Sequence, residues 1–469
     1  MFTIVGCSKD DAGSNVELIN PSSLNSERIN KFIIDAVHEA YLWEAEINWN
    51  IYGNNFDYSS YSDHYKLFDE LVYKDDRWSS LVNNIDSMEN VFGGISTTFG
   101  YTLQFYYNPF ANDNSIIAVV LYTSAGSSAE KAGIKRGDII VEINGSVINI
   151  TNYLNLYYTS SLEYRCGIVN ISDRTISPFG EAKRIFAVEM YENPIQEVKI
   201  IEIDSRKIGY LCYTSYQIDS EQDLLNVFHD FKAAGVTDVV LDLRYNLGGY
   251  AGTALFLSSI LAPESAVKNK SVYLEHYYNN LFTEFFRQSG DDLKEYFIDT
   301  LTVNMNLNHL YVLTTDNTAS ASEATMVGLK PYLNLTQIGE KTAGKYCGGI
   351  LIDPELYYGK ENKSYYANFS NWGMYVMIYR FYNVNGIESF TGGLVPDIEE
   401  EENPLDLKPF GDKNDPLLAV ALARITNRTY ITERSRKESL PMISLPGVKR
   451  FNGMIIDSPL LPKVNSITN

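Results

Sequence analysis

The chain has 469 residues, 45% of them hydrophobic, which is enough apolar material to fill the cores of about three ordinary domains. Its 38 Lys and Arg stand against 59 Asp and Glu, a formal net charge of -21, and this argues against nucleic acid as a partner because phosphate binding needs a basic stripe. The four cysteines, Cys7, Cys166, Cys212 and Cys347, form neither a CxxC redox pair nor a paired-CxxC zinc site, so neither a metal nor another cofactor is indicated.

At the amino terminus, Phe2-Thr3-Ile4-Val5-Gly6 is a short apolar run ending in a small residue directly before Cys7, and Ser8 to Ser14 is polar. This resembles the lipobox of bacterial lipoproteins with the front of its signal sequence missing. The resemblance implies lipidation at Cys7, hence export and a lipid anchor in the cell envelope, periplasmic or surface-exposed. No other segment holds about 18 uninterrupted apolar residues, the length a spanning helix needs. Residues 8 to 26 read as a tether. From Glu27, Ile29, Phe32, Ile33, Val37, Ala40 and Tyr41 recur at three- and four-residue steps, so a small helical domain is expected over residues 27–92.

Residues 93–194 open with two strand-like runs, Gly100 to Phe105 and Ile116 to Leu121. Then comes Ser128-Ala129-Glu130-Lys131-Ala132-Gly133-Ile134-Lys135-Arg136-Gly137-Asp138-Ile139-Ile140-Val141-Glu142-Ile143-Asn144-Gly145. Physically this is a short helix stopped by Gly133, a Gly-Asp turn, an alternating strand and an Asn-Gly turn. It is similar to the signature of PDZ domains at nearly every fixed position. That resemblance implies capture of a peptide as an added strand, with a glycine-led loop for its terminal carboxylate at Gly100, Tyr101, Thr102 and Leu103.

Residues 195–425 alternate strands and helices. Ile208 to Tyr213, Asp238 to Arg244, Leu310 to Leu313, Leu335 to Gly339 and Tyr375 to Tyr379 read as strands, and Glu221 to Ala234, Ala251 to Leu261 and Ala321 to Leu329 as helices. Such alternation implies right-handed crossovers and a largely parallel sheet, an α/β core. The acidic run Glu399 to Glu402 reads as a solvated loop. Residues 426–469 form an extension with turn-formers and no clear period.

In open parallel sheets, sites collect beyond the carboxyl ends of the strands. Three loops fall there: Tyr245-Asn246-Leu247-Gly248-Gly249, Thr318-Ala319-Ser320-Ala321-Ser322-Glu323 and Glu340-Lys341-Thr342-Ala343-Gly344-Lys345. Ser320 with Glu323 satisfies a helix capping box, a purely structural role. Its small neighbours Ala319 and Ala321 nevertheless leave the hydroxyl accessible, and a helix start offers N–H groups to an oxyanion. None of the five histidines lies in these loops, so a Ser-His-Asp arrangement finds no base and a lysine, Lys341 or Lys345, has to serve.

Together the three loop segments resemble the signature of the carboxyl-terminal processing peptidases, or tail-specific proteases, over about residues 100–420. The resemblance implies a multi-domain α/β protein with a crotonase-like peptidase core behind the PDZ-like and helical domains. It implies Ser320 as nucleophile and Lys345, 25 positions on, as general base, with the Gly248 and Ala321 amides as oxyanion donors. A polypeptide substrate follows. Several members carry glutamine four residues after the lysine, where this chain has Gly349, so the amine must be oriented from elsewhere. Two other readings use the same residues: a catalytically silent peptide-binding lipoprotein, and a non-peptidase acyl hydrolase. Cys347 reads as a buried small residue, and the Ser-x-x-Lys strings at Ser128 and Ser265 are too short a pattern to carry chemistry.

Overall fold

The computed structural model describes residues 21–53, 55–386, 390–428, 442–445 and 454–455. The apolar run and Cys7 lie outside them. The amino-terminal part forms helices α1 (Pro21–Ala40), α2 (His64–Leu71) and α3 (Ile85–Phe92). α1 starts ahead of Glu27, inside the stretch read as tether. Asp63 begins α2 by accepting from the Tyr65 and Lys66 amides, and Asn84 begins α3 by accepting from Ser87, which satisfies N–H groups that a helix start leaves open. The apolar stripe of α1 does not build a core of its own. Phe32, Ile33, Val37 and Tyr41 share one cluster with Phe228, Leu257, Met374 and Tyr379, because one long helix and two short ones bury too little surface to stand alone.

Strands β1 (Tyr101–Tyr107), β2 (Ile116–Thr123), β3 (Ile139–Ile143), β4 (Ser161–Asn170) and β5 (Thr175–Phe186) follow as an antiparallel sheet in that order. The short helices α4 (Ser128–Lys131) and α5 (Asn155–Tyr158) supply Ala129 and Leu156 to its core, beside Phe105, Val120, Ile140 and Leu162.

The strands that frame the rest of the molecule include β6 (Ile195–Ile203), β7 (Arg206–Tyr213), β8 (Asp238–Asp242), β9 (Gly249–Tyr250), β10 (Val272–Tyr278), β11 (His309–Thr314), β12 (Asn334–Gly339), β13 (Cys347–Ile352), β14 (Gly373–Tyr382) and β15 (Ile398–Glu399). One sheet runs β6-β7-β8-β11-β12-β15 and is parallel from β7 onward. Its central strands are apolar on both faces, Val239-Val240-Leu241 and Leu310 to Leu313, because helices cover both sides. These include α6 (Glu221–Ala234), α7 (Ala251–Leu261), α8 (Ala321–Leu329) and α9 (Pro416–Ile425). A second, mixed sheet joins β13, β14 and β10 with Ser80–Val82 of the helical part. Only β14 of that sheet is marked by the sequence pattern.

The extension contributes two short strands, β16 (Ser444–Leu445) on the free edge of β1 and β17 (Met454–Ile455) between β9 and β13.

One expectation is corrected. The run Glu399 to Glu402 is solvated only at Glu399 and Glu401, since Glu400 is buried and Glu402 pairs with two guanidiniums, Arg136 from the PDZ-like part and Arg244 at 2.7 Å from the core. Arg244 also binds Asp242 at 2.7 Å and Asp415 at 2.8 Å, and Arg136 donates to the Tyr245 hydroxyl at 2.9 Å. Burial opposes charge on Glu402, but the two guanidiniums outweigh it and hold the carboxyl below its usual range. The network fastens the PDZ-like part to the residue directly before Asn246.

Candidate active site

Parallel pairing of β8, β11 and β12 sets their three following loops at one end of the sheet. Backbone bonds stitch them together. Ala319 N–H donates to Asn246 O at 3.0 Å, and Ala343 N–H to Thr318 O at 3.0 Å.

Ser320 sits at the start of α8 with φ 61° and ψ -113°, in the left-handed half of the backbone map that a non-glycine residue adopts only when its surroundings impose it. The Ser320–Glu323 pair has the layout of a capping box, with the Ser320 N–H donating to Glu323 Oε2 at 2.8 Å. The hydroxyl, however, closes no cap hydrogen bond. Contrary to the accessibility expected from the small neighbours Ala319 and Ala321, Ser320 Oγ is buried, and it has no hydrogen-bond partner among the described residues.

Glu323 does far more than cap. It is fully buried, and Oε2 also accepts the Lys345 N–H at 2.8 Å, while Oε1 takes the Gly344 N–H at 2.7 Å and the Thr342 hydroxyl at 2.5 Å. One carboxylate therefore holds the backbones of Ser320 and Lys345 together. Burial pushes its pKa up against these four donors.

Lys345 is fully buried, whereas Lys341, the competing lysine, is exposed. Burial lowers the Lys345 pKa from 10.5 to about 8, opposed by the weaker pull of Cys347, Asp76 and Glu323. Its Nζ donates to the Tyr375 hydroxyl at 3.4 Å and lies 4.9 Å from the centre of the Tyr375 ring. Gly349 explains why a tyrosine can reach there. A Cβ at 349 would stand 2.8 Å from Tyr375 Cε2 and 2.6 Å from Val376 O, so the ring occupies the space of a side chain at that position. Cys347 is buried and its thiol is pushed up by desolvation, which keeps it neutral. Leu42, Met88 and Phe92 from the helical part close over Cys347 and Tyr375.

Gly248, at φ +111°, lies against the serine; a Cβ there would be 2.8 Å from Ser320 Cβ and 3.2 Å from the Ala321 N. Its amide donates to Asn246 Oδ1 at 2.9 Å, so in this arrangement it is turned to Asn246 and not into the cleft. Asn246 is itself held through Nδ2 on Tyr213 O at 3.0 Å.

In the PDZ-like part, the Gly100 amide donates to Thr98 Oγ1 at 3.0 Å and the Leu103 amide to the Tyr157 hydroxyl at 2.8 Å. Tyr101, Thr102 and Leu103 are the first residues of β1, paired to β2, with Gly100 directly before them.

Among known proteins, the description Peptidase family S41 matches residues 207–400, Peptidase S41 N-terminal domain matches residues 28–80, and PDZ domain matches residues 119–157. The chain belongs to peptidase family S41. It is 26% identical over 249 residues to the carboxyl-terminal-processing protease of Synechocystis, covering 52% of each protein. It is 28% identical over 229 residues to the carboxy-terminal processing protease CtpA of Bacillus subtilis, covering 47% of this chain and 42% of the relative. The chain thus spans about half the length of the curated relatives it matches. The solved structure of an S41-type chain from Bacteroides fragilis superposes with a TM-score of 0.70 at 25% identity, over 85% of this chain and 98% of that one.

Two supports of this S41 site escape sequence reading. Tyr375 lies inside a strand whose apolar pattern says nothing about the lysine 30 positions earlier. Glu323 is legible only as half of a capping box, since its partners Thr342, Gly344 and Lys345 lie across a loop contact. Among the described residues, no group of three or more His, Cys, Asp or Glu is placed to hold a metal ion. No described helix is long and apolar enough to cross a membrane.

Proposed function

We propose that this chain is a serine endopeptidase in which Ser320 attacks and Lys345 carries the proton. The neutral Lys345 amine takes the proton from Ser320 Oγ as the oxygen adds to the scissile carbonyl carbon. The ammonium then returns that proton to the departing amine nitrogen, and water, deprotonated by the same lysine, hydrolyses the acyl ester and frees Ser320. The observation that carries the proposal is a buried lysine whose pKa is lowered to about 8, its backbone tied by Glu323 to that of a serine whose buried hydroxyl has no hydrogen-bond partner among the described residues. An ordinary structural lysine keeps its charge in water.

The oxyanion donors in this proposal are the Ala321 amide and the Gly248 amide, the latter after it leaves Asn246 Oδ1. That same Gly248–Asn246 bond is the observation favouring the second reading, a silent peptide-binding protein, because a turned amide leaves the developing charge with one donor fewer. In the proposed enzyme the PDZ domain captures an unstructured or carboxyl-terminal segment through the Gly100 to Leu103 end of β1, and a lipid on Cys7 anchors the protein in the cell envelope.

Hydrolysis of an unfolded protein and of a small ester by wild type, Ser320→Ala and Lys345→Ala separates the readings. The proposal expects wild type to cleave both and each variant neither. Wild type that cleaves neither supports the silent reading, and ester cleavage alone supports a non-peptidase hydrolase. Cys7→Ser, followed by partition between detergent and water, tests the anchor: the variant should move to the aqueous phase, and an unchanged partition would refute lipidation at Cys7.

A further inference from the structure

The carboxyl-terminal extension meets both peptide-handling surfaces of the molecule. In the PDZ domain, β16 adds antiparallel to β1, with Ser444 opposite Tyr106 and Leu445 opposite Phe105. The Tyr107 N–H donates to Ile443 O at 3.0 Å, and Gln104 Nε2 reaches Leu445 O at 3.5 Å. The Leu445 side chain is buried in the domain core with Phe105, Tyr153 and Leu156, in the groove between β1 and α5, while Ile443 and Ser444 stay exposed. This is strand addition with one alternate side chain in a pocket, the way an extended peptide binds a sheet edge.

The second meeting point borders the Ser320 and Lys345 loops. β17 runs parallel between β9 and β13, with Met454 opposite Gly249, Ile455 opposite Tyr250, and Ile455 also opposite Gly349. Gly249 follows the expected oxyanion glycine directly, and Gly349 lies four positions after Lys345. The strand slot taken by residues 454–455 is thus bounded on one side by the Gly248-Gly249 loop and on the other by the strand that carries the lysine loop away.

Charge agrees with this occupant. Residues 429–469 contain six Lys and Arg against three Asp and Glu, opposite in sign to a chain of net charge -21. The same backbone donors and acceptors serve any extended peptide, so what fills an edge in cis excludes a peptide arriving in trans.

We propose that the carboxyl-terminal extension is an internal peptide ligand, filling the PDZ groove with residues 443–445 and the catalytic cleft with residues 454–455, and that polypeptide substrates enter by displacing it. Substrate affinity is then reduced by the fraction of molecules whose extension is seated. The competition for substrate rests on the peptidase reading above, whereas the occupancy of the two surfaces does not.

The test uses full-length chains carrying Ser320→Ala and, as probe, a fluorescent synthetic peptide with the sequence of residues 440–458. One chain is otherwise native. A second carries Leu445→Asp, which puts a charge into the groove. A third carries a site-specific protease sequence between Arg436 and Lys437, cut after folding so that dilution releases the extension. The second and third should bind the probe about tenfold more tightly than the first, as expected when a competitor seated in about nine molecules of ten is removed. With Ser320 restored, KM for an unfolded protein should fall by a similar factor. Equal probe binding by all three chains, or none by any, overturns the proposal, and the cut chain decides the matter if Leu445→Asp perturbs the domain. A complete lack of hydrolysis with normal probe competition would instead sink the peptidase reading and leave the internal ligand standing.

Discussion

Two helix starts in this molecule share one four-residue pattern and differ in everything else. Ser127-Ser128-Ala129-Glu130 begins α4 and Ser320-Ala321-Ser322-Glu323 begins α8. Ser127 has φ -69° and ψ 167°, and its Oγ accepts the Glu130 N–H at 3.0 Å, an ordinary cap. Ser320 is held at φ 61° with its hydroxyl unbonded, while its Glu keeps the Ser320 N–H and also binds three residues of another loop. Local sequence specifies a cap in both places. In the proposed enzyme, what converts the second into a reactive site is the set of long-range contacts that engages the capping carboxylate and leaves the serine oxygen without its usual work.

The pair of serines provides the largest contrast. Ser320→Ala should lower hydrolysis on the order of 10⁴-fold or more with little change in melting temperature. Ser127→Ala should leave the chemistry alone and destabilise by about 1 kcal/mol, read from denaturant unfolding. If the two variants exchanged these effects, the assignment would be reversed.

Lys345→Met comes next. Loss of a general base lowers the rate by about 10²–10⁴-fold, measured on the small ester. The same change should raise stability. A lysine whose folded pKa is about 8 instead of 10.5 binds fewer protons folded than unfolded between those values, so it penalises the fold below that window, and stability rises with pH across it. Removing the amine lifts up to about 3 kcal/mol at neutral pH. A Lys345→Met chain less stable than wild type would contradict the buried, destabilised lysine.

The two glutamates sharpen the comparison further. Glu323→Ala leaves three amides and a hydroxyl without their acceptor in a dry site, a loss of about 3 kcal/mol or more together with activity. Glu130→Ala, on the exposed side of α4, should stay within about 0.5 kcal/mol. Unfolding curves for both decide this. Among the residues of the site, the smallest effect on activity is expected from Tyr375→Phe, which keeps the ring over Lys345 and removes only the hydroxyl. About a tenfold fall in kcat with KM unchanged would mark Tyr375 as a positioning residue, and a change in KM alone would assign it to substrate binding instead.

Much of the site is legible in sequence because its backbone demands are local. Paired glycines at 248 and 249, small residues around Ser320 and the Gly344-Lys345 turn sit at strand ends that alternation alone locates. The PDZ run is legible for the same reason, with its glycines at turn positions. Contacts made across long stretches of chain leave no such mark. Glu402 looks like one of four solvated acids until Arg136 and Arg244 arrive from 266 and 158 positions away. Tyr375 looks like any strand aromatic, and the substitution of Gly349 for glutamine acquires a meaning only when the ring is seen in the vacated space. The strands described in the extension escape a periodic reading because each is two residues long and takes its register from the edge it joins.

The most direct measurement is the pH dependence of covalent labelling by a fluorophosphonate, with the modified residue located by peptide mapping. Attack by Ser320 needs the neutral amine of Lys345, so the labelling rate should rise about tenfold per pH unit and level off above about pH 8, with the adduct on Ser320 and none formed in Lys345→Met. Labelling that is independent of pH, or that falls on another serine, would contradict the Ser320–Lys345 pair.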